Sequence, residues 1–312
     1  MLARTWYESA TSSWRDWHAA TLVEAKGDNS IAVVMPARNE APTICGIVAG
    51  IRTELCERIG LVDEVVVIDS DSTDDTAQMA RDGGATVFAA ASIRPDLGSY
   101  AGKGEALWKS LFVTDADILV FIDADLTEWG PHFVSGLLGP ILTDAGVHLV
   151  KGFYDRISDD GTGRVAPQGG RVTELVARPF LNLRWPELAR VVQPLAGEWA
   201  IRRAVLDTLP VPVGYGVEIA TLLDIYTAHG LGAIAQVDLG ERAHSHQSVH
   251  DLGLMAAEIL TIAARRAGWA GIAAQSEPVL WQFSRNTDPR WVGRHIPTAE
   301  RPPAISVGQP TC

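Results

Sequence analysis

The run Val120-Phe121-Ile122-Asp123-Ala124-Asp125 closes an apolar segment with two carboxylates separated by one small residue. Alternate residues of an extended chain project to one side. Both carboxylates, or one directly and one through water, can therefore meet a divalent cation that prefers oxygen ligands. Such a cation would neutralise the pyrophosphate of a sugar nucleotide and stabilise it as a leaving group. The same spacing also suits a solvated strand end or a turn, so the context has to be read.

Two further apolar runs end in polar clusters: Pro36-Ala37-Arg38-Asn39-Glu40 after Ile31–Met35, and Asp69-Ser70-Asp71-Ser72-Thr73 after Glu64–Ile68. The small hydroxyl and carboxylate groups of the second, Ser70 among them, suit a base and a ribose. Ser72 or Thr73 would also serve as an N-cap for the next helix. Lys103 stands at the mouth of the glycine-containing stretch Gly98–Gly104, where a cation beside a helix start suits a diphosphate. It suits a surface cation equally well. The chain has no G-x-x-x-x-G-K-[ST] sequence, which excludes an ATPase P-loop.

The elements that must position these groups are legible as a pattern. The three runs are continuous rather than alternating, as expected of strands covered on both faces. Stretches with helical spacing lie between or after them, at Pro42–Cys56, Thr73–Asp82 and Gly104–Val113. This order predicts an α/β fold with a Rossmann-like, mostly parallel central sheet flanked by helices and ligands at the carboxyl ends of its strands. The later chain predicts strands near Leu149–Tyr154 and Ala233–Leu239. Helices are expected over Val172–Leu183, after Gly216, and over Leu252–Ala267. From Asn286 the chain is rich in Pro and Arg and reads as an extended tail. We divide it into an N-terminal arm (1–30), a nucleotide-sugar-binding part (31–154), an acceptor-binding and metal-completing part (155–267) and a C-terminal extension (268–312).

Composition narrows the function. The 312 residues are 47% hydrophobic and 21% charged, enough apolar content for a sizeable core. With 26 basic against 38 acidic residues the formal charge is −12, so a nucleic-acid partner is not expected. The apolar runs are strand-sized, which predicts neither a signal peptide nor membrane insertion. Cys45, Cys56 and Cys312 are odd in number and lack C-x-x-C spacing, which fits a reducing cytoplasm.

Eight segments appear together. They are Met35–Glu40, Asp69–Asp75, Gly102-Lys103-Gly104-Glu105-Ala106-Leu107-Trp108, the Asp123/Asp125 pair, Gly169-Gly170-Arg171-Val172-Thr173-Glu174-Leu175, Gln193-Pro194-Leu195, Gly214-Tyr215-Gly216-Val217-Glu218-Ile219 and Arg242-Ala243-His244. In this order they resemble the actinobacterial glucosyl-3-phosphoglycerate synthases, from about Ile31 to Leu260. The resemblance implies a GT-A fold with a C-terminal acceptor-binding region, and a retaining transfer of glucose from UDP-glucose to 3-phosphoglycerate with Mg²⁺ or Mn²⁺. It also implies donor contacts at Pro36, Ala37, Arg38, Glu40, Ser70, Lys103, Asp123, Ala124, Asp125, Tyr215 and Glu218. Metal ligation falls to Asp125 and His244, and acceptor contacts to Gly170, Arg171, Thr173, His244 and His246. Lys103, Asp125 and Glu218 are the expected catalytic groups, Arg242 reads as a structural ion pair, and a homodimer is expected.

The acceptor side departs from that pattern. The synthases read A-T-G-G-G-R and R-A-H-R-N where this chain reads Ala166-Pro167-Gln168-Gly169-Gly170-Arg171 and Arg242-Ala243-His244-Ser245-His246. A paralogue with another acceptor is the alternative, similar to the lincosamide-pathway transferase that joins a GDP-activated octose to the thiol of ergothioneine. His246 and Trp199 would suit a flat zwitterion. A sugar nucleotidyltransferase would need a glycine-rich loop after the first strand, but Pro36–Glu40 contains no glycine. A sugar-binding module without catalysis would have no use for a diphosphate clasp.

Overall fold

The computed structural model describes residues 2–157, 165–166, 170–243, 248–269, 271, 278–285 and 290–308. Its strands are β1 (Thr11–Ser13), β2 (Ile31–Ala37), β3 (Glu64–Asp69), β4 (Thr86–Ala89), β5 (Ile118–Phe121), β6 (Leu149–Ile157), β7 (Val165–Ala166), β8 (Trp199–Arg202), β9 (Val211–Pro212), β10 (Ile234–Ala243), β11 (Val279–Phe283), β12 (Trp291–His295) and β13 (Glu300–Arg301). Its helices are α1 (Leu2–Ala10), α2 (Ala19–Lys26), α3 (Ile44–Ile51), α4 (Thr76–Asp82), α5 (Lys103–Ser110), α6 (His132–Thr143), α7 (Arg178–Arg184), α8 (Arg203–Leu206), α9 (Val217–His229) and α10 (Val249–Arg266).

The main sheet runs β1-β10-β6-β8-β5-β2-β3-β4, with β7 paired to β6. All of its pairings along that order are parallel except those of β8, which lies antiparallel between β5 and β6. The mostly parallel sheet is as expected. Ile31, Val33, Met35, Ile118, Val120 and Ile122 enter one core, while Ala32, Val34, Leu119 and Phe121 enter the other. Two covered faces explain why these runs carry no polar alternation. Each fully buried Val or Ile here contributes roughly 1.5–3 kcal/mol of apolar transfer.

Three expectations change in detail. Thr11–Ser13, expected within an arm, adds a parallel edge strand to β10, and buried Trp6 donates its indole N–H to the Ile234 carbonyl at 3.1 Å. A three-residue polar strand buries too little side chain to mark the sequence. Neither Ser72 nor Thr73 caps a helix: α4 starts at Thr76 after Asp75, and Ser72 Oγ instead accepts from the Asn39 amide at 2.9 Å. The C-terminal segment is not wholly an arm, since β11 and β12 form a hairpin and β13 pairs antiparallel with β9. Among the described residues, no helix is long and apolar enough to cross a membrane.

Candidate active site

The strand ends meet at one rim. Ala37 pairs with Asp69 in the β2/β3 register, and the Ser70 amide donates to the Ala37 carbonyl at 2.9 Å. The loop after β2 is laced to the polar run after β3. The Glu40 amide donates to Thr76 Oγ1 at 2.7 Å, and the Thr73 amide to Asn39 Oδ1 at 2.8 Å. Asn39 and Asp71 both adopt positive φ (59° each), a backbone setting that Asn and Asp tolerate better than most residues. Asp69 Oδ1 is buried without a hydrogen-bond partner among the described residues, so an acceptor at this rim is open to an N–H or O–H donor.

The carboxylates after β5 are held by cations from other elements. Lys103, the first residue of α5, reaches Asp123 Oδ1 at 2.5 Å and Glu218 Oε1, on the first turn of α9, at 2.8 Å. Burial opposes the Lys103 charge, but Asp123 and Glu218 outweigh it and hold its pKa well above the ordinary lysine value. Asp123 is the reciprocal case. Burial alone would raise it, yet Lys103 and Arg242 keep it far below the usual carboxylate range. The Asp-Ala-Asp turn is itself pinned by Thr43 Oγ1, which donates to the Ala124 carbonyl at 2.6 Å.

Arg242 is the hub on the other side. It donates to Asp125 Oδ1 at 2.8 Å, Asp123 Oδ2 at 3.2 Å and the Tyr154 hydroxyl at 2.6 Å, and pairs with Glu198 at 3.0 Å. It reaches them because the β10/β6 register shifts between Asp238 and Glu241. Gly240 takes a φ of 87° at that irregularity, a conformation open to glycine, so the strand is re-aimed just before Arg242. Lys151 on β6 is also buried; burial pushes its pKa down to about 8 while its Nζ donates to the Ala196 carbonyl at 2.7 Å.

Sequence reasoning placed Lys103, Asp123, Asp125 and Glu218 in this cluster, and the structure brings them together. Glu40 belongs to the same electrostatic neighbourhood: burial, then the charges of Asp125, Asp123 and Asp74, push its pKa up to about 7. Tyr215 is half-exposed two residues before α9. Glu198, Tyr154 and Lys151 were not singled out, because nothing in their local spacing marks a partner 40 or more residues distant. Arg242 reads from sequence as a structural ion pair, and the structure pairs it with Asp123, Asp125 and Glu198. On the acceptor side, Gly170 and exposed Arg171 precede a π-helical turn, Thr173–Ala177, that packs on α10, and Thr173 is buried. His244 and His246 lie outside the described residues.

A divalent cation fits the donor set that is described. Asp125 keeps 37% of its side chain exposed at the strand end, with one oxygen on Arg242, and offers hard oxygen ligands. Among the described residues no three His, Cys, Asp or Glu side chains close a cage by themselves, so further ligands would have to come from His244, from the substrate or from water.

The family described as Glycosyl transferase family 2 matches residues 32–209. A glucosyl-3-phosphoglycerate synthase of Mycobacterium tuberculosis (strain CDC 1551 / Oshkosh) is 48% identical over 255 residues, spanning 81% of this chain and 78% of its own. That of Petrotoga mobilis is 42% identical over 290 residues, spanning 91% of this chain and 89% of its own. The chain belongs to the glucosyl-3-phosphoglycerate synthase family. A crystal structure of the Mycobacterium tuberculosis synthase in complex with Mn²⁺, UDP-glucose and phosphoglyceric acid superposes with a TM-score of 0.82 at 43% identity, covering 93% of this chain and 95% of that one. The sheet described above is accordingly a GT-A glycosyltransferase sheet, and the chain is a glycosyltransferase.

Proposed function

We propose that the protein transfers glucose from UDP-glucose to 3-phosphoglycerate, with Mg²⁺ or Mn²⁺ as cofactor. The observation that carries this reading is the closed network of Lys103, Asp123, Glu218, Arg242 and Asp125 at the carboxyl ends of the parallel strands. A relative spanning most of the chain, the Mycobacterium tuberculosis synthase, whose structure holds Mn²⁺, UDP-glucose and phosphoglyceric acid, supports it.

In this reading Asp125, with His244, holds the cation, which as a Lewis acid would offset the charge that develops on the departing diphosphate. The cluster sets Lys103, Lys151 and Arg242 against Asp123, Asp125, Glu198 and Glu218, a slight excess of negative charge that one divalent cation reverses in favour of an anionic diphosphate. Lys103 is held protonated beside the leaving group, and Glu218 orients sugar hydroxyls against it. Pro36, Ala37, Arg38, Glu40 and Ser70 bind the nucleoside, Ala124 and Tyr215 line the sugar, and Gly170, Arg171, Thr173 and His246 face the acceptor. The acceptor hydroxyl oxygen bonds to the sugar C1 as the bond from C1 to the diphosphate oxygen breaks. Its proton passes to that departing oxygen on the same face, so no carboxylate nucleophile is required and configuration is retained.

A second reading rests on one sequence observation: Ser245 and His246 stand where the synthases carry an arginine and an asparagine. Loss of a charged hydrogen bond there weakens a phosphorylated acceptor by roughly 1–3 kcal/mol and would favour a zwitterionic thiol such as ergothioneine with a GDP-sugar. Mass spectrometry separates the two readings. Purified protein with Mn²⁺, UDP-glucose and 3-phosphoglycerate should yield glucosyl-3-phosphoglycerate. Product only from the GDP-sugar and ergothioneine arm overturns the first reading.

The division into a nucleotide-sugar-binding part (31–154) and an acceptor-binding and metal-completing part (155–267) is part of this proposal, with Tyr215 and Glu218 of the second part reaching the donor sugar. So are a homodimer, supported by the exposed Trp281 and Trp291 of the β11/β12 hairpin, and a cytoplasmic location, supported by the free thiols Cys45 and Cys56.

A further inference from the structure

The C-terminal strand β13 sits far from the Asp-Ala-Asp turn in sequence, yet it is bonded to both segments that carry the Lys103–Glu218 pair. Along one side, Arg301 pairs in register with Val211, and the Val213 amide donates to the Ala299 carbonyl at 3.0 Å. The chain then runs through Gly214 and Tyr215 into α9 and Glu218. Along the other, the Glu105 amide donates to the Val213 carbonyl at 2.8 Å and the Gly104 amide to the Gly214 carbonyl at 3.2 Å. A Cβ on Gly104 would stand 1.8 Å from the Pro212 carbonyl oxygen, so glycine is needed for this approach.

Arg301 closes the arrangement. Its guanidinium grips both oxygens of Glu105, at 2.7 and 2.6 Å, and donates to the carbonyls of Leu97 at 2.8 Å and Gly98 at 3.1 Å. It lies 4.6 Å over the Tyr100 ring and 4.8 Å over the Trp108 ring. The Glu105 side chain is 1% exposed and that of Arg301 8%, so the fork is desolvated. Glu105 lies two residues beyond Lys103, and Leu97 and Gly98 begin the loop that leads to it. The same loop is tied from beneath by the fully buried Lys109, whose ammonium donates to the carbonyls of Ile93, Arg94 and Gly98.

We propose that Arg301 is a positioning residue for sugar transfer: through Glu105 and the carbonyls of Leu97 and Gly98 it fixes the start of α5, and with it the Lys103 ammonium against Glu218 and Asp123. This rests on the reading of Lys103 as a group that acts on the donor. A planar fork serves four oxygens at once, which a single ammonium cannot reproduce, so the position calls for arginine rather than for any cation. Misplacing a reacting group by about 1 Å costs on the order of 100-fold in rate.

The test compares wild type, Arg301→Lys, Arg301→Ala and Lys103→Met in full-length protein with UDP-glucose, 3-phosphoglycerate and Mn²⁺, with rates scaled to the folded fraction from circular dichroism. Arg301→Lys should lower kcat on the order of 10- to 100-fold while leaving KM for the acceptor unchanged. Guanidinium added to Arg301→Ala should restore part of the loss at concentrations that leave wild type unaffected. Hydrogen exchange should quicken at the amides of 98–105 and not across β2 and β5. Wild-type kcat per folded molecule in both Arg301 variants, with Lys103→Met inactive, overturns the proposal. A lowered kcat without guanidinium rescue and with exchange quickened throughout overturns it equally, as a mere loss of stability. Wild-type turnover in Lys103→Met would instead strike the reading of the site.

Discussion

Arg242 donates to Asp125 at 2.8 Å and, with the same guanidinium, pairs at 3.0 Å with Glu198, whose side chain is wholly buried. The residue that steadies the expected metal carboxylate is thus also the counter-charge of a carboxylate in the core. Burial pushes the Glu198 pKa up, and Arg242 opposes that shift. Removing Arg242 leaves a buried charge unpaired. Arg242→Met should destabilise the fold by roughly 3–5 kcal/mol, and the double variant Arg242→Met, Glu198→Gln by distinctly less. Urea unfolding of the three proteins checks this.

Glu258 on α10 accepts from the Gly216 amide at 3.0 Å beneath the loop that carries Tyr215. Burial pushes its pKa up to about 7, against the pull of the Gly216 and Tyr215 amides. A folded-state value above the unfolded one means the folded protein binds the extra proton between about pH 4.5 and 7. The stability from this group is complete below that window and is lost as pH rises through it. The loss is on the order of 3 kcal/mol. Comparing urea midpoints at pH 5 and pH 8 should show a smaller fall for Glu258→Gln than for wild type.

Lys103 and Glu218 touch at 2.8 Å, and the proposed mechanism has them work as one unit. Lys103→Met and Glu218→Gln should each lower kcat/KM at least about 100-fold, and the double variant little further. Steady-state kinetics at saturating Mn²⁺ reads both. Multiplicative losses would show that the two side chains serve separate steps.

Trp281 is 64% exposed and Trp291 58% exposed on the hairpin. If this apolar face lies between subunits, sedimentation should give a two-chain mass for wild type and a lower one for the double variant Trp281→Ser, Trp291→Ser. A two-chain mass retained by the variant would remove the hairpin from the interface.

What the sequence disclosed follows from where side chains go. Ile31–Met35 and Ile118–Ile122 are buried on both faces, so their apolar runs stand out and the polar residues at their ends mark a rim. Glu105 and Arg301 meet across 196 positions, and no local period reports such a pairing. The hairpin strands are exposed at most positions, with Val279, Trp281 and Phe283 on the outer face, so neither shows an inward-facing apolar pattern, and Trp291–His295 reads as tail. Thr11–Ser13 is held by backbone pairing to Gln236–Asp238, which any residue can make.

Calorimetric titration with UDP-glucose, for wild type and Asp125→Asn, each with Mn²⁺ and with chelator, tests the central claim most directly. Wild type should bind the donor with Mn²⁺ and lose most of that affinity with chelator, while Asp125→Asn should bind weakly in both conditions. Equal affinity in all four titrations would contradict a donor site built on Asp125 and a divalent cation.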